Sequence, residues 1–126
     1  MKLIRTLFAL FSFVAAASAH ALEVVPYTPA ALAQAQQAGK AYALHFHADW
    51  CPVCRAQSKV IDALKADPKL GLSVFVVNYD REKALRKQFG VRTQSTIIAF
   101  KGKSETGRLA GDTDPGSIRA ILASAL

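Results

Sequence analysis

Two cysteines are the residues of this chain best suited to chemistry, and they lie close together in the stretch Cys51-Pro52-Val53-Cys54. A bond between them would close a loop of very few residues, and chain-entropy stabilisation is smallest for short loops. A purely structural role therefore explains the pair poorly. We predict instead that the two sulfurs alternate between a dithiol and a disulfide, a reaction in which a thiolate is the attacking group.

This chemistry needs an element that lowers the pKa of one sulfur. Pro52 follows Cys51, and proline is favoured in the first turn of a helix, so the sequence predicts a helix over residues 51–66. Free N–H groups and the positive end of the helix dipole favour negative charge at its start. We therefore assign Cys51 as the attacking cysteine and Cys54, one turn later, as the resolving cysteine. Trp50 supplies a flat apolar surface for a docking partner.

A metal site is the alternative chemistry that these residues leave open. Haem attachment requires a histidine directly after the second cysteine, where Arg55 stands. Tetrahedral zinc needs four ligands, and His45 and His47 could complete the set because alternate residues of a strand share a face. The rival hypothesis is a metal-binding or metal-delivery module that uses Cys51, Cys54 and His45 or His47. Packing with satisfied ring nitrogens is the simpler interpretation of each histidine.

The elements that must position these residues alternate between strand and helix patterns. We predict strands at residues 22–25, 41–47, 72–77, 96–100 and 106–109. We predict helices at residues 29–37, 51–66, 81–89 and 115–125. Helical spacing places one apolar stripe on the cysteine helix, made of Val53, Ala56, Val60, Ile61 and Leu64. The order of elements indicates an α/β fold with a central mixed β-sheet flanked by helices.

Residues 1–21 carry the three-part pattern of a secretory signal peptide: a basic start, an apolar run over residues 7–17 and small residues at the end. Cleavage after Ala19 or after Ala21 fits the small-x-small rule, and we prefer the second, which leaves a domain of residues 22–126. The apolar run is about half of the roughly 20 residues that span a bilayer. We therefore expect no permanent membrane helix, with an uncleaved anchor segment as the alternative.

Export sets the expected location and partners. Loss of the signal peptide removes two basic residues and no acidic one from a chain of formal net charge +7, so the domain stays basic. An exported protein seldom meets nucleic acid, and we expect no such partner. A solvated surface is the favoured interpretation of the charge, with attraction to acidic partners or anionic lipid as the alternative. A periplasmic or secreted location permits a disulfide.

Two stretches of the chain resemble signature motifs of the thioredoxin family. Residues 44–55, which contain Trp50 and both cysteines, resemble its active-site strand and helix start. Residues 89–102, with a Gly-Val pair followed by Thr96, resemble the strand beside the active site. The resemblance covers residues 22–126. It implies a thioredoxin-like fold, and mixed disulfides between Cys51 and partner proteins.

The sequence departs from the family's pattern between the two cysteines and at the position of the family's buried acid. Pro52 and Val53 stand where thioredoxins have Gly-Pro, and the histidine of strongly oxidising members is absent, so we expect an intermediate redox poise. His45 occupies the place of the family's buried acid, which assists proton transfer from the resolving cysteine. A histidine, with an unperturbed pKa near 6.5, could do the same. His45 is therefore a candidate catalytic residue, with space-filling as the alternative.

A third departure is Ser95, which stands where the family has a cis-proline. A cis bond before a residue other than proline costs about 2.5–4 kcal/mol, so we predict a trans bond between Gln94 and Ser95. The Ser95 backbone N–H and hydroxyl are donors that proline lacks, and they could stabilise a thiolate. We assign Trp50, Pro52, Gln94 and Ser95 as candidate partner-binding residues.

Together these features predict an exported, monomeric thiol–disulfide oxidoreductase that exchanges with protein cysteines. The site needs no dissociable cofactor. A separate electron-donor or electron-acceptor protein, which could be membrane-bound, must complete the cycle. Besides the metal module, the rival hypothesis is a thioredoxin-like binding protein whose redox activity is vestigial.

Overall fold

The structure, a computed structural model, describes residues 20–126 of the 126-residue chain. Residues 1–19 of the predicted signal peptide, with the alternative cleavage site after Ala19, lie outside this range. Within residues 20–126, no helix is both long enough and apolar enough to cross a membrane.

Within the described residues, five strands and four helices follow one another in the predicted order. The strands are β1 (Glu23–Pro26), β2 (Ala41–His47), β3 (Ser73–Asn78), β4 (Thr96–Lys101) and β5 (Ser104–Ala110). The helices are α1 (Pro29–Gln37), α2 (Pro52–Leu64), α3 (Lys83–Phe89) and α4 (Pro115–Ala123). Proline near the start of α1, α2 and α4 and a left-handed glycine, Gly90, at the end of α3 mark the ends of these helices.

The strands form one mixed sheet in the order β1-β3-β2-β4-β5. β1 and β2 each pair with β3 in parallel, whereas β4 pairs antiparallel with both β2 and β5. β1 lies at an edge, and β2 is the middle strand. The chain leaves the carboxyl end of this middle strand and enters α2, so the cysteine pair lies at one end of the sheet.

Helices cover both faces of the sheet and create two cores. Side chains of α2 and α4, including Ile61 and Leu122, pack with Ala43 of β2 on one face. Side chains of α1 and α3, including Leu85, pack with Phe46 of β2 on the other. Successive strand residues alternate between faces, and this alternation sends His45 to the α2 side. The predicted α/β architecture is confirmed.

The buried face of α2 differs from the predicted apolar stripe. Its buried residues are Cys54, Gln57 and Ile61, and Val53 is 36% exposed. The predicted stripe is confirmed at Ile61, and its residues Val60 and Leu64 are partly buried against the same core. It is wrong at Val53, and it omits Gln57. A polar side chain with buried partners occupies a position that hydropathy assigned to the solvent face.

Candidate active site

Cys51 occupies the N-cap position of α2. Its backbone is extended, with φ −93° and ψ 112°, and its Sγ accepts a hydrogen bond from the backbone N–H of Cys54 at 3.1 Å. Pro52 takes the first helical position, where a missing N–H costs nothing. The sulfur thus replaces the oxygen of an ordinary N-cap side chain, at the end of the helix that favours negative charge.

The two sulfurs have opposite electrostatic surroundings. Both cysteines are free thiols and buried. Burial acts to raise the pKa of Cys51, but hydrogen bonds from the thiol and backbone of Cys54 and from the backbone of Val53 outweigh it. The side chain of Gln94 adds to this effect, and the pKa of Cys51 lies below its ordinary value. Burial and the neighbouring Cys51 raise the pKa of Cys54 to about 11. Cys51 is therefore the more readily ionised sulfur.

An exposed apolar surface borders Cys51. Trp50 is 59% exposed, and its indole Nε1–H donates to Oδ2 of Asp80 at 2.8 Å. Pro52 and Val53 are also exposed and follow Cys51 directly. The hydrogen bond to Asp80 fixes the indole. Trp50 and Pro52 directly flank Cys51 in the chain and stay candidates for partner binding.

The loop before β4 carries both predicted residues, Gln94 and Ser95. The side chain of Gln94 acts to lower the pKa of Cys51. The bond between Gln94 and Ser95 is trans, as predicted. Ser95 is buried and left-handed at φ 58°, a conformation that strains residues other than glycine.

The two hydrogen-bond donors of Ser95 donate to backbone carbonyls and not, as predicted for them, to a cysteine thiolate. Its backbone N–H donates to the carbonyl of Phe46 at 2.9 Å, and its hydroxyl donates to the carbonyl of Gln94. Backbone hydrogen bonding by Ser95 opposes the rise in the pKa of Cys54. The Phe46 carbonyl that accepts from the Ser95 N–H also lies 3.9 Å from Sγ of Cys54, so Ser95 is coupled to the resolving cysteine through a shared acceptor.

His45 lies beneath the site, and its ring is 1% exposed. Its Nε2 is 3.0 Å from Oε1 of Gln57. Burial lowers the pKa of His45 to about 4 against the opposing hydrogen bond from Gln57. The ring is neutral near pH 7, and it does not titrate in the ordinary histidine range on which the proton-relay hypothesis relied.

The histidines do not join the cysteines in a metal site. His47 Nε2 is 3.2 Å from Oδ1 of Asp49, and its Nδ1 is 3.4 Å from the hydroxyl of Ser58. Across the described range 20–126, no group of three or more His, Cys, Asp and Glu side chains is arranged to hold a metal ion. The geometry does not favour the metal-module alternative.

Two residues of the site escaped the sequence prediction. Gln57 makes three hydrogen bonds, two of them buried and one partly buried. A polar residue three positions after Cys54 is the signal that could have found it. Tyr79 packs against the cluster of Ala48 and the two cysteines, and its ring lies 3.9 Å from the guanidinium of Arg86. Its sequence position, just after β3, gives no comparable signal.

Known proteins that resemble this chain in sequence and in structure include thioredoxins. The thioredoxin family model matches residues 23–124. A thioredoxin of Chlamydia caviae is 33% identical over 79 residues, which cover 63% of this chain and 76% of the relative. A thioredoxin of Alicyclobacillus acidocaldarius is 30% identical over 99 residues, 79% of this chain and 94% of the relative. The crystal structure of Trxlp from Edwardsiella tarda has a TM-score of 0.73 and 40% identity, and the match covers 80% of this chain and 97% of Trxlp.

These matches settle the class of activity. The matches cover most of the length of both thioredoxins. In this chain the two cysteines lie at the N-terminus of α2. The chain is accordingly a thiol–disulfide oxidoreductase whose general partners are protein thiols and disulfides. Its sequence, its sheet and its cysteine pair lead to one conclusion: the chain belongs to the thioredoxin family.

Proposed function

We propose that this oxidoreductase is exported and exchanges disulfides with proteins of the periplasm or the secreted space. The observation that carries the exchange mechanism is the difference between the sulfurs: the pKa of Cys51 is lowered, whereas that of Cys54 is raised to about 11. Export is supported by the basic, apolar and small-residue pattern of residues 1–21.

The exchange runs in two balanced steps. The Cys51 thiolate attacks one sulfur of a partner disulfide, so a Cys51–partner bond forms and the partner's other sulfur leaves as a thiolate that takes up a proton. Cys54 then loses its proton and attacks Sγ of Cys51, which releases the partner's first sulfur. The partner gains two electrons, and this chain is left with a Cys51–Cys54 disulfide. The reverse sequence oxidises a partner dithiol.

Partner proteins dock on the exposed surface around Cys51. Trp50, Pro52 and Val53 offer apolar area for an extended segment. Gln94 and Ser95, on the loop before β4, are the other proposed partner-binding residues, and each affects the pKa of one cysteine of the pair. A second protein, which a membrane could anchor, returns the pair to its starting redox state, and the chain works as a monomer.

His45 is proposed to assist the second step from beneath the pair. A ring with a pKa of about 4 is a weak base, so it does not store the Cys54 proton near pH 7. Its contribution is to provide a neutral, fixed polar group on the α2 side of the sheet while Cys54 ionises.

Export is tested by following the N-terminus of the full-length chain in a bacterial host. The processed protein is expected in the periplasmic fraction with Leu22 as its first residue. Leu10→Arg, which places a charge in the apolar run, is expected to block processing and leave the chain inside the cell. An unprocessed wild-type chain confined to the cytoplasm would sink the export proposal.

Protein partners are tested by trapping. Cys54→Ser removes the resolving sulfur, so partner adducts held by reducible bonds are expected to accumulate on Cys51. The matched control, Cys51→Ser combined with Cys54→Ser, is expected to collect none. Equal adducts on both variants would mean that capture does not depend on Cys51.

A further inference from the structure

Gln57 connects three separate segments beneath the cysteine pair. It lies on α2, three residues after Cys54, and is fully buried. Its Oε1 is 3.0 Å from His45 Nε2 on β2. Its Nε2 donates to the carbonyl of Ser95 and to the carbonyl of Asp112, each at 2.9 Å. One amide therefore joins the middle strand, the loop before β4 and the turn after β5.

The partners of Gln57 fix which end of its amide faces which group. The two backbone carbonyls can only accept hydrogen bonds, so the NH2 end must point towards them. The carbonyl oxygen then faces His45 and requires a donor there. In a neutral ring, one nitrogen carries the proton and the other does not. His45 must therefore carry its proton on Nε2.

The same amide holds Ser95, whose neighbour Phe46 also contacts Cys54. Ser95 has φ 58°, and three backbone contacts anchor it: its N–H donates to Phe46, and its carbonyl accepts from Gly111 N–H and from Gln57. A left-handed serine persists where its surroundings over-determine it. The Phe46 carbonyl that accepts from the Ser95 N–H also lies 3.9 Å from Sγ of Cys54. Gln57 is thus linked to the resolving cysteine through Ser95 and Phe46.

We infer that Gln57 is a positioning residue of the redox site, which fixes His45 as its Nε2–H tautomer and holds the Ser95 peptide near Cys54. The assignment of the His45 tautomer depends on hydrogen bonding alone. The role of Gln57 in positioning Ser95 for Cys54 rests on the exchange reaction proposed above. Every polar atom of the buried amide has a hydrogen-bond partner. Removal of the amide therefore leaves one ring nitrogen and two carbonyls each without one hydrogen bond.

The tautomer is measured directly on the reduced full chain. Long-range proton–nitrogen correlations at pH 7 are expected to show a protonated Nε2 and a bare Nδ1 for His45. The His45 signals are identified by their loss in His45→Gln. A ring protonated on Nδ1, or on both nitrogens, would overturn the inference. This measurement uses the native residue at position 57 and does not depend on whether any position-57 variant folds.

The positioning role is measured with Gln57→Leu, which keeps the bulk of the side chain and removes all three hydrogen bonds. Resolution by Cys54 is expected to slow by about three- to tenfold, as loss of one ordinary hydrogen bond would produce, while attack by Cys51 changes less than about twofold. Gln57→Met serves the same purpose if the leucine variant does not fold.

Tyr42→Phe is the matched control for lost stability. It removes a buried hydrogen bond from the Tyr42 hydroxyl to the Gly102 carbonyl, 2.8 Å long, away from the cysteines. Its resolution and attack rates are expected to match the wild type. Equal resolution rates in Gln57→Leu and Tyr42→Phe would show that Gln57 is structural only. Absence of exchange in the wild type would instead contradict the proposed function. The His45 tautomer assignment would be unaffected by that result.

Discussion

At the scale of single residues, the site depends on groups whose burial sets their protonation. Cys51 is buried but receives hydrogen bonds at the start of α2, whereas Cys54 is buried without comparable compensation. His45 is buried too, and the cost of charging its ring inside the protein keeps it neutral. Three neighbouring positions thus hold one activated thiol, one protonated thiol and one neutral imidazole.

The protonation of His45 gives a prediction with a definite sign. Its pKa falls from 6.5 to about 4 on folding, so between these values the unfolded chain binds a proton that the folded chain does not. Through His45, the free energy of unfolding is therefore expected to fall as pH is lowered from 6.5 to 4. Measured by urea unfolding, the free energy of unfolding is expected to fall less over this pH range in His45→Gln than in the wild type.

Nuclear magnetic resonance provides the matching check on the folded state. The ring signals of His45 are expected to stay constant over about pH 5 to 8, the range in which histidine ordinarily titrates. His47→Asn serves as the control, because it removes the second histidine of β2 and leaves the bond between His45 and Gln57 in place. A His45 midpoint near its unperturbed value would show that burial does not control this ring.

At the scale of elements, several helix ends were readable from the sequence, whereas the polar part of the buried face of α2 was not. Proline at the start of α2 and glycine after α3 have direct steric reasons, and both predictions agree with the structure. The predicted stripe on α2 omitted Gln57, which is buried by partners from distant segments. Hydropathy along one helix carries no information about carbonyls supplied by the loops at residues 95 and 112.

The loop before β4 gives a prediction at this scale. Proline requires φ near −65° and has no N–H, whereas Ser95 has φ 58° and donates to Phe46. Ser95→Pro is therefore expected to lower the free energy of unfolding by about 2–4 kcal/mol, from the inaccessible φ and the lost buried hydrogen bond together. Urea denaturation of the reduced protein measures the change.

Ser95→Gly separates the backbone from the side chain. It also removes the hydroxyl, but it keeps the N–H and adopts positive φ without strain. Its stability is expected to stay within about 1 kcal/mol of the wild type. A proline variant as stable as the glycine variant would mean that the loop accepts a different path and that the left-handed serine is not required.

At the scale of the whole molecule, the sequence indicated the α/β class, and the family resemblance implied the sheet that the structure displays. The cysteine pair could be found because helix-start chemistry and sequence spacing coincide at Cys51. The contacts of Ser95 and Gln57 could not be found, since they join residues 38 and 55 positions apart in the chain. Such pairings arise from the fold and have no local pattern.

Turnover of insulin disulfides by the two single cysteine variants tests the central assignment most directly. Cys51→Ser is expected to show no exchange, because the remaining sulfur is buried and has a pKa of about 11. Cys54→Ser is expected to attack once and then remain as a mixed disulfide, because the resolving sulfur is absent. Normal turnover by Cys51→Ser, or a mixed disulfide formed through Cys54 in its place, would contradict the account.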